Sequence, residues 1–324
     1  MKKTIILLLV AVSFCACDGC TGKKKTGSEE KTEQGTQAEP KAFKAVEIPL
    51  SISGEEQRIA YFADHFWDNT DFSDNAYVDN DNTEQAFADY LLVLNNLPDM
   101  AAVNKTVKGM MKKLEGGATP EMYYYFTGLY EKYFYDPNSP YRNEEIYITV
   151  LESIVANPKL EEIEKVRPEA QLRMAMKNRV GDKALDFPYR TAQGGQGSLY
   201  GTRADYLLLF FYNLGCPACK EVRAGLLEVF AESPMAALIA SGRLKVLAVY
   251  ADEDMTEWDN YVGDIPSQWI NAYDPVQAIN KDELYDLRAI PSLYLLDKDK
   301  KVLIKDFVDP AMLYYAVQDA ESRR

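Results

Sequence analysis

Tyr206–Tyr212 (YLLLFFY) is an unbroken apolar run, and it constrains the fold more than any other segment. It is too short for a helix that buries one stripe, and its uniformity requires cover on both faces, as in the central strand of a sheet flanked by helices. Asn213-Leu214-Gly215 breaks the run, Cys216-Pro217-Ala218-Cys219 follows, and Val222, Leu226, Val229 and Phe230 then recur at helical spacing. A dithiol is thereby placed where a buried strand hands over to an amphipathic helix. A cysteine at a helix start faces backbone amides without intrahelical partners and the positive end of the helix dipole, which favours thiolate over thiol. Cys216 is the expected nucleophile, and Cys219, one turn inside, the shielded partner that resolves a mixed disulfide.

Leu244–Tyr250 (LKVLAVY) reads as a second buried strand, and residues 285–297 read YDLRAIPSLYLLD. Asp297-Lys298-Asp299-Lys300 turns the chain into a strand over 302–307, and Pro310 opens a last helix running to about Asp319. A CxxC pair at a strand-to-helix junction followed by these elements resembles the thioredoxin fold. Ile290-Pro291-Ser292 resembles its cis-proline loop, which packs opposite the CxxC and pairs its backbone with a substrate chain. Residues 181–187 (GDKALDF), ahead of a glycine-rich turn at 194–197, resemble the entry hairpin of the TlpA-like subgroup, the membrane-facing thiol-disulfide proteins of bacteria. The resemblance covers about 145 residues, 180–324. It implies a mixed sheet flanked by helices, catalysis by Cys216 and Cys219, substrate contact at Ile290 and Pro291, and no cofactor beyond a redox-active Cys216–Cys219 disulfide.

The sequence departs from that family in places. Gly215 stands where a tryptophan usually precedes the first cysteine, and Phe210 where thioredoxin has a buried aspartate that assists proton transfer. Glu221 is the nearest acid in sequence, a candidate acid/base group against the alternative of a solvated helix carboxylate. Cys219 and Pro291 are 72 residues apart, which predicts an inserted helix and loop over about 252–282. Trp258, Trp269 and Tyr273 lie there, to pack the insertion on the sheet or to contact substrate.

Ahead of this domain, residues 46–179 read as all-helical. Ile59, Phe62 and Phe66 share one helix face, as do Phe87, Leu91 and Leu94, and a third helix around Val107, Met110, Met111 and Leu114 stops at Gly116-Gly117. Thr119-Pro120-Glu121 is a start signal for a tyrosine-rich helix, with Thr119 the cap. Its tyrosines read chiefly as packing, with part of the stripe open to a ligand. Asn143-Glu144-Glu145 opens a fifth helix, and a sixth is expected from Pro158 or Leu160 to Arg179 with Pro168 a kink or a boundary. This half, and the string YFYDPNSPYRNEEIY over 133–147 in particular, resembles the helical domain of unknown function that precedes thioredoxin-like domains in many Bacteroidetes lipoproteins.

Met1-Lys2-Lys3 and the short apolar stretch Ile5 to Phe14 read as a secretory signal. The cluster at 14–20 resembles a lipobox, with Cys17, preceded by the small Ala16, the expected acylation site and residues 1–17 the signal; a plain signal peptide is the alternative. Residues 18–45 are polar and basic in part, a flexible tether on the order of 30 Å by coil scaling. The chain carries a net charge of −14, which disfavours nucleic acid or an anionic membrane surface as a partner. Most of the acidity lies in the helical half, where 46–175 hold 11 Lys/Arg against 23 Asp/Glu. The single histidine, His65, excludes a multi-histidine metal site, and no metal is expected.

The expectation is thus a lipid-anchored protein on the periplasmic side of the cell envelope. It would reduce or isomerise disulfides of exported proteins, be recharged by an envelope electron donor, and touch the membrane only through its lipid. Two alternatives stand beside it. One is an anchored binding module whose CxxC is a structural disulfide. The other is a thiol peroxidase, disfavoured because Asn213 stands where a threonine is usual three residues before the peroxidatic cysteine.

Overall fold

A computed structural model describes residues 41–323, which belong to one contact unit. Cys15, Cys17 and Cys20, with the signal and most of the tether, lie outside the described residues.

The helical half comprises α1 Glu55–His65, α2 Asp81–Leu94, α3 Met100–Gly117, α4 Pro120–Phe134, α5 Glu144–Ala156 and α6 Glu162–Ala175. Their starts follow local chemistry: Thr119 Oγ1 accepts from the Met122 N–H at 3.1 Å, and Asn143 Oδ1 from the Ile146 N–H at 3.3 Å. Phe87, Leu91 and Leu94 on α2 and Val107, Met110, Met111 and Leu114 on α3 are buried in one core with Trp67, Phe126 and Tyr130. Each such side chain stabilises the fold by roughly 1.5–3 kcal/mol. The tyrosine-rich helix divides as helical geometry requires: Met122, Phe126 and Tyr130 are buried, whereas Tyr124 points outward and donates to Glu164.

The sixth helix is shorter than its pattern predicts. It starts at Glu162, where Glu164 Oε2 accepts from the Glu161 N–H at 2.6 Å, and it accommodates Pro168 without breaking. It ends at Ala175 rather than Arg179, and Asn178 just beyond it adopts a left-handed φ of 51° that a continuing helix would not allow. From there Asn178 Nδ2 donates to Leu284 O at 2.8 Å, and its Oδ1 accepts from the Leu185 N–H at 2.8 Å.

The second half is a seven-stranded mixed sheet. Its strands are β1 Pro188–Thr191, β2 Gln196–Ser198, β3 Tyr206–Tyr212, β4 Leu244–Tyr250, β5 Ile270–Tyr273, β6 Ser292–Asp297 and β7 Val302–Phe307, in the order β2-β1-β5-β4-β3-β6-β7. β3 is parallel to β4 and antiparallel to β6, and all seven of its residues are buried. Strand alternation sends Tyr206, Leu208, Phe210 and Tyr212 into one core and Leu207, Leu209 and Phe211 into the other. The first core is covered by α7 Pro217–Ala231, α8 Met235–Ala240, α9 Met255–Tyr261 and α11 Pro310–Ser322; a short α10 Ala278–Lys281 places Ile279 in the second. The architecture is therefore a helical N-terminal region followed by a thioredoxin-like domain with a mixed sheet between helices.

Residues 252–282 include the helix expected there, α9, and also a strand the sequence did not show, β5, which pairs in parallel with β4 and antiparallel with β1. Four residues with a central Asn-Ala carry little strand signal. Asn271 fits because Tyr212 Oη donates to its Oδ1 at 2.8 Å and its Nδ2 donates to Val262 O at 2.9 Å. Trp258 and Trp269 are buried in the sheet core, where Trp269 meets Phe210 and Phe230 edge-on and Trp258 meets Tyr273.

Candidate active site

β3 ends at Tyr212, and the chain crosses to α7 through Asn213-Leu214-Gly215. Gly215 has φ 69°, a left-handed conformation open to glycine and costly by about 1–2 kcal/mol to most other residues.

Cys216 is the N-cap of α7, with Pro217 in the first turn. Its sulfur accepts the Cys219 backbone N–H at 3.2 Å, one of the donors that a helix start leaves unpaired. On its other side the Cys216 thiol lies 3.8 Å from Ile290 O. The Ile290–Pro291 peptide bond is cis, and Pro291 is buried. The three sequence elements expected to form the site, at 216, 219 and 290–291, thus meet at one end of β3.

Cys216 is partly exposed, whereas Cys219 is only 5% exposed and sits in the sheet core beside Phe210. Burial, followed by hydrogen bonding to Cys216, pushes the Cys219 thiol up to about 12, with Arg223 opposing. At neutral pH the inner sulfur keeps its proton. The outer sulfur is the one a disulfide can reach.

Phe210 stacks on Tyr212 with ring centroids 5.6 Å apart, so the place of the family's aspartate is filled by apolar packing. Glu221 is not brought beside Cys219. Two positions along a helix turn a side chain to a different face, and Glu221 is exposed while Cys219 is buried. A narrow recess beside the two cysteines is lined instead by Phe210, Arg223, Asp264 and Ile265. Of these, Arg223 is marked in the sequence only as the residue one turn beyond Cys219, and Asp264 arrives from a segment 45 residues away with no local signal. His65 is remote in role: it pairs with Asp68 at 2.6 Å and packs on Tyr61. Among the described residues no group of three His, Cys, Asp or Glu side chains could hold a metal ion, and no helix is long and apolar enough to cross a membrane.

Comparison with known proteins agrees with this fold. Residues 17–178 match the model of a domain of unknown function, DUF5106, and residues 204–302 match a thioredoxin-like model. A thioredoxin-like protein from Bacteroides caccae is 44% identical, with a TM-score of 0.80 over 86% of this chain and 99% of its own. The C-terminal domain of an uncharacterized protein from Bacteroides fragilis is 44% identical over 43% of this chain and 98% of its own, with a TM-score of 0.40. A conserved protein of unknown function from Bacteroides fragilis is 36% identical over 42% and 98%, with a TM-score of 0.39. A search of curated proteins yields no match. The chain belongs to the thioredoxin-like proteins, with a DUF5106 domain preceding its thioredoxin-like domain.

Proposed function

We propose that the chain is a thiol-disulfide oxidoreductase of the cell envelope, acting on exported proteins through Cys216 and Cys219. The observation that carries this reading is the position of the Cys216 sulfur, partly exposed at a helix N-cap, 3.2 Å from the Cys219 amide and 3.8 Å from Ile290 O. In thiol-disulfide exchange the thiolate is the attacking species. It displaces one sulfur of the substrate disulfide, forming a mixed disulfide and releasing a substrate thiolate that takes up a proton. Cys219 then gives up its proton and attacks Cys216, so that the second substrate thiol leaves and the Cys216–Cys219 disulfide forms. The substrate gains two electrons and the dithiol loses two, which an envelope electron donor restores. If a thiol of the substrate resolves the mixed disulfide instead, the outcome is isomerisation.

In this reading Ile290 and Pro291 present backbone to the substrate chain beside the attacking sulfur. Export and acylation at Cys17 would hold the domain on the membrane, since several acyl chains give stable anchoring without a spanning helix. Insulin-disulfide reduction is the test: Cys216→Ala abolishes turnover if the proposal is right, and a variant that still reduces insulin contradicts it.

A further inference from the structure

The loop that carries Ile290 and Pro291 is tied at both ends to the helical domain. At its start, the Arg288 guanidinium lies 3.7 Å from the centroid of the Tyr135 ring and donates to Tyr135 O at 3.2 Å; it also pairs with Asp286. At its end, Ser292 Oγ donates to Asp306 Oδ1 at 2.8 Å. The other oxygen of that carboxylate is 3.3 Å from Arg142 Nη1, and Arg142 also donates to the Asp306 backbone carbonyl.

β7 is shaped for these contacts. Its pairing with β6 shifts register between Leu293 and Leu295, and Asp306 there has φ 47°, an uncommon conformation for a residue with a side chain. A bulge of this kind re-aims side chains. The neighbouring Lys305, its side chain 8% exposed, turns its ammonium to the helical domain, donating to Ala175 O (2.8 Å) and Lys177 O (2.7 Å) and pairing with Glu144 Oε2 at 2.5 Å. Three cations, Arg142, Arg288 and Lys305, thus face three carboxylates, Glu144, Asp286 and Asp306, all with side chains at most 21% exposed. Burying six charges is costly unless each is paired in a fixed geometry, so such a cluster favours one arrangement of the groups it joins.

We infer that the helical domain is a brace for the substrate-receiving loop, with Arg142 the positioning residue that holds Ser292 in place through Asp306, whose Oδ2 also lies 3.9 Å from Arg288 Nη2. The inference rests on the dithiol reading in one respect, that the loop receives substrate. Its mechanical content, that the loop is held from the helical side, stands apart from turnover.

The test uses the full chain with Arg142→Met and Arg142→Lys, and Lys108→Met at an exposed pair with Glu152 as control. Amide hydrogen exchange over residues 288–293 is read together with kinetics on insulin and on a small aromatic disulfide. Arg142→Met is expected to speed exchange in 288–293 about tenfold while β3 and α7 are unchanged, and to raise KM for insulin by about the same factor. It should leave kcat and reduction of the small disulfide within about twofold, because the small molecule needs only the Cys216 sulfur and not the loop. Arg142→Lys should restore most of both effects. Unchanged exchange over 288–293, or acceleration shared equally by β3 and α7, overturns the brace. If Arg142→Met fails to fold, Arg142→Gln, which also lacks the charge, is judged by the same criteria. A wild-type chain that reduces neither disulfide removes the dithiol proposal, and the exchange data still decide the brace.

Discussion

Replacing Cys219 by serine isolates a pH-dependent contribution that follows from where its thiol sits. The side chain is 5% exposed, and burial raises its ionisation from an ordinary 9.0 to about 12. In the reduced chain, folded and unfolded states both keep the proton below pH 9, so this group adds no pH dependence there. Above pH 9 the unfolded chain releases the proton while the folded chain retains it. Stability must then fall with rising pH, by about 1 kcal/mol per pH unit until the folded thiol itself ionises. Buried tyrosines such as Tyr90, Tyr212 and Tyr285 are also pushed above their usual range, so they ionise first in the unfolded chain and add to the same fall, but they are common to both proteins. The difference between reduced wild type and Cys219→Ser therefore reports Cys219 together with its contact to Cys216. Urea denaturation under excess phosphine, at half-unit steps from pH 7 to 10.5, should show that difference constant to about pH 8.5. By pH 10 it should shift by about 1 kcal/mol against the wild type. A difference that stays flat to pH 10.5 would refute the claim that Cys219 is a desolvated thiol.

Two further outcomes are expected. Lys305→Met leaves Glu144 and the end of α6 facing a methyl group, and should cost about 3–5 kcal/mol in equilibrium unfolding; a loss under about 1 kcal/mol would mean that water replaces the ammonium freely. Glu221→Gln should leave insulin reduction within about twofold across pH 6–9, since a solvated carboxylate on another face of α7 is worth little to Cys219. A drop of tenfold or more would return Glu221 to the site.

The central strand, the helix that follows it, both cysteines and the Ile-Pro-Ser loop were legible because each is encoded locally. YLLLFFY admits one use, CPAC sits at a recognisable junction, and Thr119 and Asn143 are capping residues in their expected places. What escaped is tertiary. β5 is a strand because β4 and β1 flank it, and its Asn271 is acceptable only because Tyr212 and the backbone at Val262 satisfy it. The chain beyond α6 is fixed by Asn178, whose side chain bridges the backbone at Leu185 and at Leu284, the latter 106 residues away in sequence. The charged cluster is scattered over 142–306 and reads in sequence as ordinary surface residues, until the bulge at Asp306 and the burial of Lys305 gather it. Phe210 was legible as a departure, but its consequence, an inner cysteine with no buried carboxylate beside it on β3, became plain only with the recess formed by Arg223, Asp264 and Ile265.

The most direct measurement of the central claim is a trapping experiment with Cys219→Ser in the presence of a disulfide-bonded substrate such as insulin. With the second sulfur gone, the first step proceeds and the next cannot. Peptide mapping by mass spectrometry should then find a stable adduct on Cys216, released by dithiothreitol and missing from the Cys216→Ala, Cys219→Ser double variant. No adduct, or one distributed over other residues, would contradict the assignment of Cys216 as the attacking sulfur.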